Sequence, residues 1–146
     1  MNAQVKLENP VKNGKIRKSD KWGGGQYGAS RGKRQHFGLD ITANPGQDIS
    51  SPIEGKIIRI SYPYADDLKF TGLLINGSGA HTGIEVKIFY ISPAPGIINK
   101  SVTPGQKIGN AQALTTKYPG ITNHVHIEIK KHGVQVDPKS LINNIF

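Results

Sequence analysis

His-Val-His-Ile-Glu-Ile-Lys, residues 124–130, is the stretch that decides the fold. Polar and apolar side chains alternate strictly along it, and a period of two is typical of a β-strand with one buried face. On such a strand His124 and His126 project to one side, whereas Val125 and Ile127 project to the other. The stretch therefore predicts a strand that carries two imidazoles on a single face.

Similar short runs, separated by turns, fill most of the chain beyond residue 38. The clearest is Ile84–Ile91 (IEVKIFYI), which is β-branched, aromatic and alternating. Glycine (18 residues) and proline (9 residues) are spread along the whole chain, as turns in an all-β protein would be. No helical periodicity is long enough to build a bundle. We therefore predict a mostly β protein with one antiparallel β domain. The other predicted strands are Gly38–Thr42, Gly55–Tyr62 and Gly72–Asn76, with a hairpin turn at Gly77-Ser78-Gly79 and a short helix or turn at Pro138–Ile142.

Composition limits the kinds of site that the chain can hold. Its 146 residues correspond to one ordinary domain. Cysteine is absent, so a disulfide framework and a thiolate metal site are both excluded. Any metal must therefore be bound by histidine and carboxylate side chains.

The N-terminal part of the chain is strongly basic. The net charge is +9, and eight of the 19 Lys and Arg residues lie between positions 12 and 34. We divide the chain into a basic, Gly-rich arm (residues 1–22) and a domain (residues 23–146), and expect the arm to pack on the domain through Trp22 and Tyr27. A cluster of basic residues like the one between positions 12 and 34 attracts polyanions. Few aromatic residues accompany the basic ones, so nucleic acid is not the expected partner. No apolar stretch has the length of a signal peptide or a membrane span.

Two short clusters carry the residue types of a metal site. One contains His36 and Asp40, which share a face if that segment is extended, with Gly38 between them leaving room for a metal. The other contains His124 and His126. Zinc accepts imidazole nitrogen and carboxylate oxygen, and a catalytic zinc site uses three protein ligands and keeps one position open. Three of these four residues would hold the metal, and the fourth would act as an acid or base beside it.

With these motifs the chain resembles the M23 family of zinc metallopeptidases, the lysostaphin- and LytM-like peptidoglycan endopeptidases. The resemblance implies a mostly antiparallel β domain with an open groove over the sheet. It also implies that His36, Asp40 and His126 hold Zn²⁺ and that His124 is catalytic. The matching segments are HFGLD (36–40), PIEGKI (52–57), FYIS (89–92), TPGQKIG (103–109) and HVHIE (124–128).

The chain departs from the family pattern at the end of the long hairpin strand. The family usually has a second catalytic histidine there, and Ile91 stands at the expected place. This local pattern is similar to the LECT-two chemotaxin-like subgroup, which keeps the zinc site and is regarded as lacking peptidase activity. We expect either a slow enzyme or one in which Tyr90 or His81 replaces the histidine as a catalytic group. The strand parity of Tyr90 is opposite to that of Ile91, so Tyr90 needs an irregularity in the strand to reach the site.

Four further residues have more than one interpretation. Glu128 shares a face with the histidines and is either a partner of the ligands or a surface carboxylate. His81, beside a glycine turn, is interpreted as a surface residue. His132 is expected in a solvent-facing turn, and Asp137, before a proline, as a turn or helix cap.

The resemblance implies a zinc-dependent endopeptidase that hydrolyses peptide cross-links of bacterial peptidoglycan. The alternative is a catalytically silent, zinc-stabilised binding module. The expected partners are peptidoglycan peptides and anionic wall polymers, without nucleic acid and without a membrane span, and the protein is expected to be a monomer. The expected location is secreted, periplasmic or associated with the cell wall.

Overall fold

The protein is built from short antiparallel strands, as the alternating sequence predicts. The computed structural model describes residues 6–25, 27, 30–31, 34–35 and 38–145. Within these residues the regular structure consists of twelve strands and two 3-10 turns, Gly79–His81 and Pro138–Ser140. The strands are β1 (Ser30–Arg31), β2 (Arg34–Gln35), β3 (Leu39–Thr42), β4 (Asp48–Ser50), β5 (Gly55–Ser61), β6 (Gly72–Gly77), β7 (Ile84–Phe89), β8 (Ile91–Pro93), β9 (Ser101–Val102), β10 (Lys107–Ala111), β11 (His124–Lys131) and β12 (Val134–Val136).

The strands form one large sheet and two small ones. The large sheet has the order β12-β11-β7-β6-β5-β9, and β3 also pairs with β11. A three-stranded sheet has the order β4-β10-β8, and β1 pairs with β2. The predicted hairpin between β6 and β7 is confirmed, with Leu73 opposite Ile88 and Ile75 opposite Val86. Every strand pair is antiparallel, so short turns suffice to connect neighbours.

Branched aliphatic side chains from the inner faces of the strands form the core. Burial alternates along β7, where Ile84, Val86 and Ile88 are buried and their neighbours are partly exposed. This pattern is that of a strand with one buried face. The fully buried aliphatic residues of the main core include Leu39, Ile41, Ile49, Ile57, Leu73, Ile75, Ile108, Val125 and Ile127.

The run Ile84–Ile91 does not form one strand, and this prediction was wrong. β7 ends at Phe89, and Tyr90 has a left-handed backbone with φ of 74°. The N–H groups of Tyr90 and Ile91 both donate to the carbonyl of Thr71, at 2.8 and 3.0 Å. Ile91 then begins β8, which pairs with β10 in the three-stranded sheet. The chain therefore changes sheets at Tyr90, which alternation alone does not reveal.

Residues of the predicted arm lie in the core of the domain. Leu7 and Val11 are buried in the main cluster of apolar side chains. The N–H of Leu7 donates to the carbonyl of Leu141 at 2.8 Å, and Ile16 forms a bridge with Ile41 of β3. Among the described residues, no helix is long and apolar enough to span a membrane.

His81 is buried, contrary to its interpretation as a surface residue. Its Nδ1 accepts a hydrogen bond from the backbone N–H of Glu54 at 3.0 Å. Its Nε2 lies 3.3 Å from the carbonyl of Lys6. A carbonyl can only accept, so the ring is the tautomer with a proton on Nε2. His81 thus connects the N-terminal segment to the β6–β7 hairpin. The two remaining interpretations hold, since His132 is exposed and Asp137 caps the second 3-10 turn by accepting from the N–H of Lys139.

Candidate metal centre

The pairing of β3 with β11 brings the two predicted clusters together. In this antiparallel register Asp40 lies directly opposite His126, and Thr42 lies opposite His124. Both strands follow the alternating pattern that predicts them, so their polar side chains meet on one side of the sheet. Two segments separated by 86 positions therefore contribute to one site.

Asp40 is the centre of the site. Its side chain is 3% exposed and contacts three basic groups. Oδ1 lies 2.9 Å from His126 Nδ1, and Oδ2 lies 3.4 Å from His124 Nε2. Oδ2 also accepts a hydrogen bond of 3.1 Å from Nε of Arg17. A buried carboxylate requires such partners, because desolvation of an unpaired charge is costly.

His126 is held between two carboxylates. Its Nε2 lies 2.9 Å from Oε2 of Glu128, on the side opposite Asp40. Burial works against the charged ring, but hydrogen bonds to Asp40 and Glu128 raise the pKa of His126 to about 9. Glu128 is therefore a direct partner of the predicted ligand, which is the first of the two interpretations of its position.

His124 differs from its neighbour in charge and in tautomer. Its Nδ1 lies 2.8 Å from the carbonyl of Thr122, which can only accept, so Nδ1 carries a proton. Burial, which outweighs the nearby Asp40 carboxylate, lowers the pKa of His124 from its usual value. The ring is thus neutral near pH 7, and its Nε2 lone pair faces the interior of the site.

Gly38 provides space for the imidazole of His126. A Cβ atom at position 38 would lie 2.5 Å from His126 Nε2 and 2.7 Å from the carbonyl oxygen of Ile127. Side-chain carbon atoms do not approach other atoms so closely, so only glycine fits here without a shift of β3 or β11. The sequence predicts room for a metal beside Gly38, whereas in the structure the ring of His126 occupies that room.

The donor set suits zinc, as far as the structure describes it. Asp40 and His126 supply one oxygen and one nitrogen donor side by side, which is the combination that zinc accepts. The third predicted ligand, His36, lies outside the described residues. No group of three or more His, Cys, Asp or Glu side chains suited to a metal ion occurs within the described part of the chain.

Tyr90 reaches the site because its backbone is irregular. Its ring packs edge-on against His124, with 5.6 Å between ring centroids. Its hydroxyl lies 2.8 Å from that of Tyr64, which is also hydrogen-bonded to the hydroxyl of Tyr118. Burial raises the pKa of Tyr90 to about 12, so the phenol keeps its proton near neutral pH. The irregularity expected from its strand parity is therefore present.

Ile91 does not face the site. Its side chain is fully buried within the main apolar cluster. The side chain from this turn that lies against His124 is that of Tyr90. Tyr90, which breaks the strand, is therefore the residue of this turn that is placed beside His124.

Sequence reasoning missed three residues around the site. Arg17 is one of the eight basic residues between positions 12 and 34 that are expected to attract polyanions, but its side chain is 2% exposed. No sequence pattern links Tyr64 and Tyr118 to Tyr90. Tyr64 is 26 positions away from Tyr90, and Tyr118 is 54 positions away from Tyr64. The signal for Arg17 was Asp20, the single acid in the basic block, which the structure shows as its partner at 2.9 Å.

Comparison with known proteins identifies the family of this domain. Residues 34–138 match the family described as Peptidase family M23, which covers the strands of the site and most of the domain. The chain belongs to peptidase family M23. Mouse leukocyte cell-derived chemotaxin-2 is similar to it, with 38% identity over 114 residues, covering 77% of this chain and 72% of that protein.

Solved structures of M23-type proteins share the fold at low sequence identity. Helicobacter pylori Csd3 superimposes with a TM-score of 0.68 and 20% identity over 97% of this chain. This chain spans 36% of the length of that protein. The catalytic domain of the antimicrobial peptidase lysostaphin from Staphylococcus simulans gives a TM-score of 0.57 and 20% identity, covering 81% of this chain and 89% of that domain. The mostly β, antiparallel fold of the M23 family is thus common to all three.

Proposed function

We propose that this M23 domain is a zinc-dependent endopeptidase that hydrolyses peptide cross-links of bacterial peptidoglycan. The observation that carries the proposal is the buried group of Asp40, His126 and a neutral His124 on the paired strands β3 and β11. Asp40 and His126 would hold zinc together with His36. Bound zinc supplies an activated water and polarises the scissile carbonyl.

His124 would act as the general base. Its proton on Nδ1 is directed to the carbonyl of Thr122, which leaves the Nε2 lone pair to take a proton from the attacking water. Its lowered pKa keeps the ring in this basic form near pH 7. The same ring, once protonated, would deliver the proton to the leaving amine. Removal of such a group typically slows a reaction by about 10²–10⁴-fold.

Tyr90 would stabilise the oxyanion of the tetrahedral intermediate. Its hydroxyl is in contact with that of Tyr64, which is also bonded to Tyr118. If Tyr118 donates to Tyr64 and Tyr64 donates to Tyr90, the proton of Tyr90 is left for the substrate, and a donor within such a chain is polarised by the others. Loss of one oxyanion donor costs about 10²–10³ in rate.

The decisive experiment measures new amino termini released from purified peptidoglycan by the zinc-loaded protein, with and without a chelator. We expect release that stops on chelation, and a reduced rate in Tyr90→Phe with zinc retained. Muropeptides with different cross-links should be offered, because the bond that is cut is not defined by the site. If zinc is bound and no cross-link is cleaved, the endopeptidase proposal is wrong.

Peptidoglycan and anionic wall polymers are the partners that fit this activity, and a monomer would suffice for it. The substrate lies in the cell wall, so the enzyme would work in a secreted, periplasmic or wall-associated location. The four exposed lysines at positions 12, 15, 18 and 21 would concentrate it on anionic polymers.

A silent zinc-stabilised binding module is the second candidate. It is favoured by the 38% identity to a protein named as a chemotaxin and by a tyrosine, Tyr90, as the side chain next to His124. A phenol with a raised pKa donates a hydrogen bond but is a poor proton acceptor. Under this alternative the protein binds zinc, which raises its thermal stability, and it releases no amino termini from any cross-linked substrate.

A further inference from the structure

Arg17 is the single buried basic residue among the charged side chains of the described arm. Its guanidinium makes three hydrogen bonds in different directions. Nε donates to Oδ2 of Asp40 at 3.1 Å, and Nη1 donates to Oδ2 of Asp20 and to the carbonyl of Gly23, both at 2.9 Å. The N–H donors of a guanidinium group lie in one plane and point in fixed directions, so these contacts define the orientation of the Asp40 carboxylate.

The backbone of Asp40 is held by the same segment. The N–H of Arg17 donates to the carbonyl of Asp40 at 2.9 Å, and the N–H of Asp40 donates to the carbonyl of Gly25 at 2.7 Å. Asp40 therefore lies between the arm on one side and His126 of β11 on the other. Both its main chain and its side chain are positioned by residues 17–25.

The contacts continue to the second histidine. Oδ2 of Asp20 accepts a hydrogen bond from the N–H of Thr122 at 3.0 Å. The carbonyl oxygen of Thr122 in turn accepts a hydrogen bond from Nδ1–H of His124 at 2.8 Å. His124 Nε2 lies 3.4 Å from Asp40 Oδ2, so both histidines adjoin the carboxylate that Arg17 contacts. Burial works to raise the pKa of Asp20, but the hydrogen bonds from the backbone N–H groups of Thr122 and Trp22 and from Arg17 together lower it, so Asp20 stays anionic.

We propose that Arg17 is a positioning residue of the metal centre, and that the segment Arg17–Gly25 is an integral part of that centre. This inference rests on the proposed role of Asp40 as a zinc ligand. By bonding to Oδ2 of Asp40, Arg17 fixes the orientation of the carboxylate that keeps Oδ1 beside Nδ1 of His126. Partners of this kind orient a ligand, and their removal typically lowers metal affinity by about 10–100-fold.

The test compares the zinc affinity of full-length variants by competition with a chromogenic chelator. Arg17→Met keeps an apolar side chain of similar length but removes the guanidinium group, and we expect the zinc affinity of this variant to be about 10–100-fold lower. Arg17→Lys should give an intermediate value, because one ammonium group cannot replace all three contacts. Arg59→Met is the matched control: Arg59 is exposed, and its affinity should stay within about twofold of wild type.

Thermal unfolding of the zinc-free proteins separates positioning from a merely structural role. A structural role predicts a lower melting temperature with the affinity of the folded protein unchanged. A folded Arg17→Met variant whose affinity is unchanged or higher would overturn the inference while leaving the zinc site in place. If Arg17→Met does not fold, Asp20→Asn is used instead. It keeps Arg17 but removes its anionic partner, and an affinity within about twofold of wild type would again overturn the inference. A wild-type protein that binds no zinc would overturn both this inference and the proposed function.

Discussion

Two histidines on one strand have different environments because their partners differ. His126 lies between two carboxylates at 2.9 Å, whereas His124 donates to a backbone carbonyl, packs against Tyr90 and lies 3.4 Å from Asp40. The first environment favours a charged or metal-bound ring, and the second favours a neutral ring with a free lone pair. At the scale of single residues, the site therefore contains one candidate ligand and one candidate base at positions i and i+2.

This difference predicts the behaviour of two alanine variants. His124→Ala should retain zinc and lose about 10²–10⁴-fold in activity, because it removes a base and leaves the ligands in place. His126→Ala should lose zinc. Elemental analysis of the purified variants measures the metal, and release of amino termini measures the activity. If His124→Ala loses zinc as completely as His126→Ala, His124 is a ligand and its role as base is wrong.

The raised pKa of His126 predicts a pH effect on the zinc-free protein. Its folded pKa of about 9 exceeds the ordinary value of 6.5, so the charged ring stabilises the fold fully below about pH 6.5. That contribution is lost as the pH rises through about 9, and its size is of order 1–3 kcal/mol. Urea unfolding of the chelator-treated protein at pH 6.5 and 9.5 measures it.

Glu128→Gln serves as the control for this pH effect. Because Glu128 contributes to the raised pKa, the variant should lose less stability over the same pH interval than wild type does. The difference between the two proteins removes the contributions of other titrating groups. Equal losses in both would show that Glu128 does not sustain the charge on His126.

At the scale of elements, the paired strands β3 and β11 and the N-terminal segment act as one unit. Asp40 is bonded on one side to β11 and on the other to residues 17 and 25. Further along the same segment, Leu7 is bonded through its backbone to Leu141 and Asn143. The arm defined from composition therefore includes residues that complete the core, in addition to exposed lysines.

Leu7→Ala tests whether the N-terminal segment contributes to the fold. Leu7 is 0% exposed, and truncation of a buried leucine typically costs about 2–5 kcal/mol. Leu68→Ala is the matched control, because Leu68 is 62% exposed and its truncation should change stability by less than about 0.5 kcal/mol. Urea midpoints of the two variants give the comparison. Equal midpoints would show that the segment only covers a core that is stable without it.

At the scale of the whole molecule, the net charge is +9, but not every basic side chain that contributes to it is accessible to a partner in solution. Arg17 is buried and paired with carboxylates, whereas Lys12, Lys15, Lys18 and Lys21 are exposed. Only the exposed lysines can attract a polyanion from solution, because an interior charge is already neutralised by its partners.

Charge reversal of Lys12 and Lys18 together should weaken binding to purified sacculi at low salt. The deficit should shrink as the salt rises to a few tenths molar, where the Debye length falls below about 8 Å. The matched control reverses Lys130 and Lys131, which are also exposed and give the same change in net charge. Equal losses in both pairs would assign the effect to net charge. A deficit independent of salt would mean that Lys12 and Lys18 make specific contacts.

The class of fold and the candidate residues could be predicted from local sequence patterns. Alternation with a period of two depends only on the geometry of a strand, so HVHIEIK and the first six residues of IEVKIFYI could be assigned to strands without a partner. The spacing of His124 and His126 likewise places both on one face. The family could be recognised for the same reason, because its motifs are short and local along the chain.

Only the tertiary structure decided which groups complete the site. Arg17 is a surface residue by composition, and it becomes interior because Asp40 is buried and requires a cationic partner. Tyr90 reaches His124 because its left-handed backbone ends β7, and alternation carries no information about such a break. Both outcomes depend on contacts between segments far apart in the chain. Local periodicity reports which side of a strand a residue faces, but the partner across that face is set by how the strands pair.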